Sequence, residues 1–314
     1  MALVVIKPGM LTTVQDLGRW GFQSRGVPVA GPMDPVSHRL ANALVGNDRD
    51  AALLEITLLG PELEFEDERV VAVAGAEFAL TVDDKPRSTA STLGAFLVGA
   101  GGRLRFGARN RGARAYLAIS GGIDVPKLLG SRSTHVISGM GGFEGRPVRA
   151  GDRLPLGPIP ADGRTGRSTG DRISTVPNGP ARVRVLPGPQ ADRFAADALD
   201  VLQSAPYVIQ QNSDRMGFRL AGPILKHRLS ADVISDATPL GVLQVPASGQ
   251  PILLMADRQT TGGYAKIATA IAADLAIAAQ LAPGDSLSFV VSSPREALAA
   301  LIAQEQSLLR VESA

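Results

Sequence analysis

The sequence predicts a mainly β chain with a few helices, divided into two domains. Three observations carry that reading. Short apolar runs recur between turn signals from residue 53 to 119, glycine and proline number 35 and 22 while apolar content stays at 45%, and only three stretches repeat apolar residues at helical spacing. Abundant turns with an ordinary apolar fraction describe a folded, turn-rich chain rather than a disordered one. A chain of 314 residues divides more naturally into two cores of ordinary size than one large core.

The first helix is set by Asp34, whose side chain suits an N-cap, and by Pro35, whose fixed φ suits the first turn. Leu40 and Leu44 follow at helical spacing, and Gly46 offers the left-handed position that ends a helix. Beyond it, runs such as Val70-Val71-Ala72-Val73-Ala74 and Ala115-Tyr116-Leu117-Ala118-Ile119 alternate with turns at Asp83-Asp84, Gly101-Gly102 and Asn110-Arg111-Gly112, the rhythm of a barrel or sandwich. Residues 155–177 are polar and rich in Gly, Pro, Ser and Arg, as a surface connection would be. The domain boundary is therefore expected there, giving domains 1–165 and 166–314, with segments free to cross between them. Two further helices are expected over 190–202 and 294–309, the latter with Leu298, Leu301, Ile302 and Leu308 on one side. An internal echo suggests duplication: Leu59-Gly60-Pro61-Glu62-Leu63 matches Ala221-Gly222-Pro223-Ile224-Leu225, and Gly151-Asp152-Arg153-Leu154 matches Gly284-Asp285-Ser286-Leu287.

Thirty-two basic and 30 acidic side chains nearly cancel, so no overall field favours nucleic acid or an anionic membrane. The absence of cysteine excludes disulfides, thiolate metal sites and a cysteine nucleophile. The apolar start, Met1 to Val5, is too short for a signal peptide, and the Ala/Ile/Leu-rich stretch 267–281 is interrupted by Asp274 and Gln280, so a cytoplasmic protein without a membrane span is expected. Phosphate-loop, dinucleotide-fold and nucleophile-elbow motifs are missing, as is a Met-Lys-Met biotin attachment site. His38, His135 and His227 lie far apart in sequence, and no metal site is expected.

Three polar segments remain as candidates for chemistry. In the first, Asp16, Arg19 and Arg25 surround the sole tryptophan, Trp20, among glycines that would let backbone N–H groups approach an anion; equally, Asp16 pairs with Arg19 and Trp20 fills core. The second, Asn212-Ser213-Asp214-Arg215-Met216-Gly217, carries a guanidinium suited to carboxylate or phosphate if Arg215 turns inward. Asp214 and Arg215 are poor partners, since neighbours on a strand face opposite ways. The third follows the apolar run 251–256 and reads Asp257-Arg258-Gln259-Thr260-Thr261-Gly262-Gly263-Tyr264. It places an acid or base, amide and hydroxyl hydrogen-bonders and a tyrosine lid at the end of a buried strand.

Together, Thr13-Val14-Gln15-Asp16-Leu17-Gly18-Arg19, Gly26-Val27-Pro28 with Gly31-Pro32-Met33-Asp34, Ser120-Gly121-Gly122-Ile123-Asp124-Val125-Pro126 with Leu129-Gly130-Ser131-Arg132-Ser133-Thr134, and the second and third polar segments resemble, in order, the biotin-dependent carboxyltransferase-like family. That family includes the C-type component of 5-oxoprolinase, the second component of allophanate hydrolase, and KipA. The resemblance implies two cyclophilin-like β-barrel domains and a B-type (KipI-like) partner subunit. With an A-type subunit the pair would open 5-oxoproline to glutamate using ATP; the alternatives are the carboxyltransferase part of a biotin-dependent urea or amide carboxylase, and a KipA-like regulator that antagonises a kinase inhibitor. On the first reading Asp257, Arg258, Gln259 and Thr260 carry catalysis. Asp16, Arg19, Arg25, Asn212, Arg215, Gly262, Gly263 and Tyr264 would bind a small amide substrate, and Arg19, Arg215 and Arg258 would face the transferring phosphoryl group. Nucleotide is expected in the complex rather than necessarily on this chain.

Overall fold

The computed structural model describes residues 1–87, 94–159 and 173–313. It is mainly β with a few helices, in two barrel-type units, as the sequence and the resemblance implied. Contacts gather residues 1–20, 30–176 and 306–314 into one unit and 21–29 with 177–305 into the other. The expected boundary at 165/166 lies outside the described residues, as does most of the polar connection around it.

The first unit contains β1 (Ala2–Lys7), β2 (Leu11–Gln15), α1 (Pro35–Val45), β3 (Leu53–Thr57), β4 (Glu62–Phe65), β5 (Arg69–Val82), β6 (Lys85–Arg87), β7 (Phe96–Val98), β8 (Arg103–Ile119) and β9 (Arg153–Pro155). Its curled sheet runs β2-β3-β8-β4-β1-β9, with β5 paired to β6, β7 and β8. Alternation on the long strands divides the interior in two. Val71, Val73, Leu117 and Ile119 join Leu3, Leu54, Ile56 and Phe65 in one cluster, while Val70, Ala72, Ala74, Tyr116 and Ala118 receive Leu40, Ala41, Leu44 and Val45 of α1. Burial on both faces explains why these strands read as unbroken apolar runs. The expected caps hold α1: Ser37 N–H donates to Asp34 at 3.0 Å, and Gly46 has φ +76°.

The second unit contains β10 (Ala181–Pro187), α2 (Ala198–Ser204), β11 (Tyr207–Ile209), β12 (Gly217–Ala221), β13 (Asp232–Ala237), β14 (Val242–Val245), β15 (Ile252–Leu254), β16 (Thr261–Ala270), α3 (Ala272–Ala279), β17 (Ser286–Val291) and the start of α4 (Pro294–Glu312). Seven strands close in the order β10-β17-β11-β12-β15-β14-β16 and back to β10, leaving β13 attached to β16 outside the ring. Closure removes the free edges that a seven-stranded sheet would otherwise present.

One of the two internal echoes is a shared turn. In the first unit Gly151 N–H donates to Val5 and Val5 N–H donates to Asp152, at 2.8 and 2.9 Å; in the second Gly284 N–H donates to Ile209 and Ile209 N–H donates to Asp285 at the same distances. Gly151 and Gly284 have φ +90° and +93°, which only glycine adopts without strain. Asp152 and Asp285 each accept the N–H three residues back, at 2.7 and 2.8 Å. The other echo is not an equivalence: Gly60-Pro61 precedes β4, whereas Gly222-Pro223 follows β12.

Three local expectations change. The helix expected over 190–202 is a short 3-10 turn, Ala191–Arg193, followed by α2. Trp20 does not fill core: it is 60% exposed, with its indole N–H donating to the Leu17 carbonyl at 2.9 Å. On α4 only Leu308 of the expected apolar side is buried, while Leu298 and Ile302 are exposed. The stretch 267–281 is the end of β16 followed by α3, and among the described residues no helix is long and apolar enough to cross a membrane.

Candidate functional site

In the second unit, β15 ends at Leu254 and the chain turns through the polar segment before re-entering the barrel as β16. Arg215, just ahead of β12, anchors that turn. Its Nε donates to Asp257 Oδ2 and its Nη2 to Asp257 Oδ1, both at 2.9 Å, while Asp257 N–H donates to the Arg215 carbonyl at 2.8 Å. Both side chains are almost wholly buried. A two-pronged pair of this kind compensates the desolvation of both charges and fixes the loop's path. Asp214 instead receives the N–H groups of Met216 and Gly217, so the expectation against an Asp214–Arg215 pair holds.

Beyond the anchor, Arg258 Nε donates to the Thr238 carbonyl at 2.8 Å, and burial pulls its guanidinium below the ordinary arginine value against the opposing pull of Asp257. The Gln259 carbonyl accepts from the Thr238 hydroxyl, and its amide Nε2 donates to Gln244 Oε1 at 3.3 Å. Thr260 is half-buried, and its carbonyl takes the Thr238 N–H at 3.0 Å. Gly262 lies under this group: a methyl there would stand 2.5 Å from Gln244 Nε2 and 3.2 Å from Gln259 Nε2. Gly263 follows it on β16, and Tyr264 is 40% exposed.

The fold adds residues that sequence reasoning missed. Gln244 on β14 stands directly opposite Lys266 on β16, so their side chains emerge on the same face. Both are buried, and Lys266 Nζ donates to Asp236 Oδ2 at 3.0 Å. Asp236 sits on β13 opposite Gly262, and its own carboxyl is held below the usual carboxylate range by Lys266 and then by the Ala237 N–H. Gln244 Nε2 has no partner among the described residues. The available signal was a lone Lys and a lone Gln inside apolar runs, Ala265-Lys266-Ile267-Ala268 and Val242-Leu243-Gln244-Val245; only the strand register puts them together.

The other expected residues lie elsewhere. Asn212 and Arg25 are exposed, on a turn and on a short 3-10 segment of the second unit. Asp16 and Arg19 belong to the first unit, inside a buried network. Asp16 accepts from Gly18 N–H, Arg132 N–H and the Ser131 and Ser133 hydroxyls. Burial pushes its carboxyl up, but those four donors outweigh burial and hold it below its ordinary value. Arg19 is wholly buried and donates to the Leu128 and Ser133 carbonyls at 2.9 and 3.0 Å, so it serves neither as Asp16's ion partner nor as an accessible cation. His38 is buried nearby; burial lowers it to about 4, so it is neutral at pH 7.

This placement bears on nucleotide binding. Arg215 clasps Asp257, Arg19 is enclosed, and Arg258 is folded onto backbone carbonyls. Each of the three guanidinium groups expected to face a transferring phosphoryl group thus donates to acceptors within its own unit. Among the described residues no three His, Asp or Glu side chains gather as a metal site.

The same sequence and fold recur in known proteins. Residues 25–291 match the family described as carboxyltransferase domain, subdomain A and B. The chain is 42% identical over 298 residues to the C-type subunit of 5-oxoprolinase from Escherichia coli (strain K12), covering 95% of this chain and 94% of that protein. It is 37% identical over 287 residues to the corresponding 5-oxoprolinase protein of Haemophilus influenzae, covering 91% and 89%. Among solved structures, K. lactis urea amidolyase superposes with a TM-score of 0.91 at 34% identity, over 99% of this chain but only 20% of that much longer one.

Proposed function

The chain belongs to the carboxyltransferase subdomain A and B family, and from that membership we propose that it is the C-type subunit of an ATP-dependent 5-oxoprolinase. It would act with B-type and A-type subunits to open 5-oxoproline to glutamate in the cytoplasm. The observation that carries the reading is the match to the C-type 5-oxoprolinase protein over nearly the whole of both chains. The urea amidolyase match spans only about a fifth of that protein.

On this reading the second unit supplies one wall of a small-amide site. Gln244 and Gln259 offer amide donors over Gly262, and Lys266 offers a desolvated positive charge. Fixed donors of this kind stabilise charge that develops on a carbonyl oxygen. Asp257 holds the loop through Arg215 and is a positioning residue; Thr260 and Tyr264 border the wall. Because Arg215, Arg19 and Arg258 donate to acceptors within the chain, we assign ATP to the partner proteins.

The test is reconstitution: purified A-, B- and C-type subunits with 5-oxoproline and ATP are expected to form glutamate, and omission of this chain to abolish it. No glutamate from the complete mixture overturns the proposal. The high structural similarity to urea amidolyase supports a second reading, carboxyl transfer from carboxybiotin to a small amide; it requires biotin-dependent carboxylation by a mixture containing a biotin carrier. A KipA-like regulatory role predicts that the biological effect survives Asp257→Ala and Gln259→Ala when the B-type complex stays intact.

A further inference from the structure

We infer that Asp236 is a built-in stand-in for a ligand carboxylate: Lys266, Gln244 and Gln259 form a carboxylate cradle that Asp236 holds until a small carboxylate displaces it. Under the function proposed above, on which the identity of the ligand rests, that carboxylate is the one carried by the cyclic amide.

Lys266 is 1% exposed, and a buried ammonium is costly unless an anion compensates it. Its counter-ion is unlike a structural one. The Asp236 side chain is 59% exposed and lies on β13, the strand outside the ring. Backbone register joins β13 to β16 at Asp232, Asp236 and Ala237, with an irregularity between the first two. Asp236 Oδ1 is satisfied locally by the Ala237 N–H at 2.7 Å, so that oxygen does not depend on Lys266. Exchange of Asp236 for another anion therefore breaks the Oδ2–Lys266 bond while Oδ1 keeps the Ala237 N–H.

The neighbouring groups keep donors in hand. Lys266 Nζ has three hydrogens and, among the described residues, one hydrogen bond, to Asp236. Gln244 is 2% exposed and its Nε2 has no partner among the described residues, an unfavourable state for a buried amide that a ligand acceptor would relieve. Gln259 Nε2 uses one of two hydrogens and stands over the same glycine as Gln244 Nε2. A carboxylate accepts several hydrogen bonds through its two oxygens, which suits one ammonium beside two amides.

Calorimetric titration of the full chain compares 5-oxoproline with 2-pyrrolidinone, the same lactam without the carboxylate. The wild type is expected to bind the first and not the second. Asp236→Ala removes the competitor and leaves the buried Lys266 without its counter-ion, so its fold is checked by circular dichroism and denaturation midpoint; the folded variant is expected to tighten 5-oxoproline binding about tenfold, which corresponds to about 1.4 kcal/mol. Lys266→Gln should abolish binding, and Gln244→Leu should weaken it if Lys266→Gln fails to fold. Equal affinity for the two lactams, or Asp236→Ala binding no tighter than wild type, overturns the inference. If the reconstituted enzyme forms glutamate with a KM for 5-oxoproline unmoved by Asp236→Ala, the cradle is wrong and the functional assignment stands. If glutamate never forms while Asp236-sensitive carboxylate binding persists, the assignment is wrong and the cradle stands.

Discussion

Asp16 in the first unit and Lys266 in the second are both buried charges, and they are compensated in opposite ways. Four donors, two from the backbone and two from serine hydroxyls, converge on Asp16. Lys266 has one acceptor, and that acceptor is an exposed side chain on an outlying strand. Around Asp16 three atoms find no partner among the described residues, Gln15 Oε1, Arg19 Nη1 and His38 Nδ1, and each belongs to a residue that is 0% exposed. Accessibility of the counter-ion, more than the presence of polar groups, therefore separates a scaffold network from a surface that can exchange one partner for another.

Arg215 and Asp257 form a scaffold pair of the first unit's kind within the unit that carries the candidate site. Asp257→Ala removes the two-pronged acceptor of the buried guanidinium and is expected to destabilise the second unit by about 3–5 kcal/mol. Replacing both partners, Arg215→Met with Asp257→Leu, should recover much of that loss, because both buried charges are removed together. Denaturant unfolding of the single and double variants measures both effects. A double variant no more stable than Asp257→Ala would show that the pair does more than compensate charge.

A smaller effect sharpens the first unit's side. Burial lowers His38 to about 4, below an ordinary value of about 6.5. As pH falls through 6.5 the unfolded chain binds a proton that the folded chain refuses, so stability declines until the folded His38 titrates near 4. The loss over that window is about 3 kcal/mol. His38→Phe should flatten it, read as hydrogen-exchange protection of β2 and β8 between pH 7 and 4. Asp16, whose folded carboxyl is depressed, contributes stability that disappears only at lower pH, as the solution falls through its folded value.

The parts legible in the sequence were those with local causes. Asp34, Pro35 and Gly46 marked α1 because capping is a contest among neighbours in the chain, and the crowd of polar side chains after residue 256 marked the loop because a core has no use for them. The Gly-Asp echo at 151 and 284 was readable because one turn needs one glycine. Lys266 and Gln244 were hidden because each is a single polar residue in an apolar strand, and their meeting depends on a register set by closure of the barrel. Trp20 and α4 misled for a related reason: aromatic character and helical apolar spacing mark a face that something can cover, and they do not say what covers it.

The smallest stability effect reads the site most directly. Gly262 has no left-handed φ, so alanine fits its backbone, and the new methyl would meet the end of the Gln244 side chain at 2.5 Å, Thr238 Cγ2 at 3.0 Å and the end of the Gln259 side chain at 3.2 Å, two of the three being ends of flexible side chains. Displacing such ends costs little, and Gly262→Ala is expected to change stability by less than about 1 kcal/mol. The methyl nevertheless occupies the space above which both amide nitrogens are gathered, so it pushes apart the donors that the second unit holds in reserve. Affinity for 5-oxoproline should fall at least as far as in Gln244→Leu, with the denaturation midpoint nearly unmoved. The reverse pattern, lower stability with unchanged affinity, would make Gly262 a packing position and move the second unit's amides to the scaffold side of the comparison.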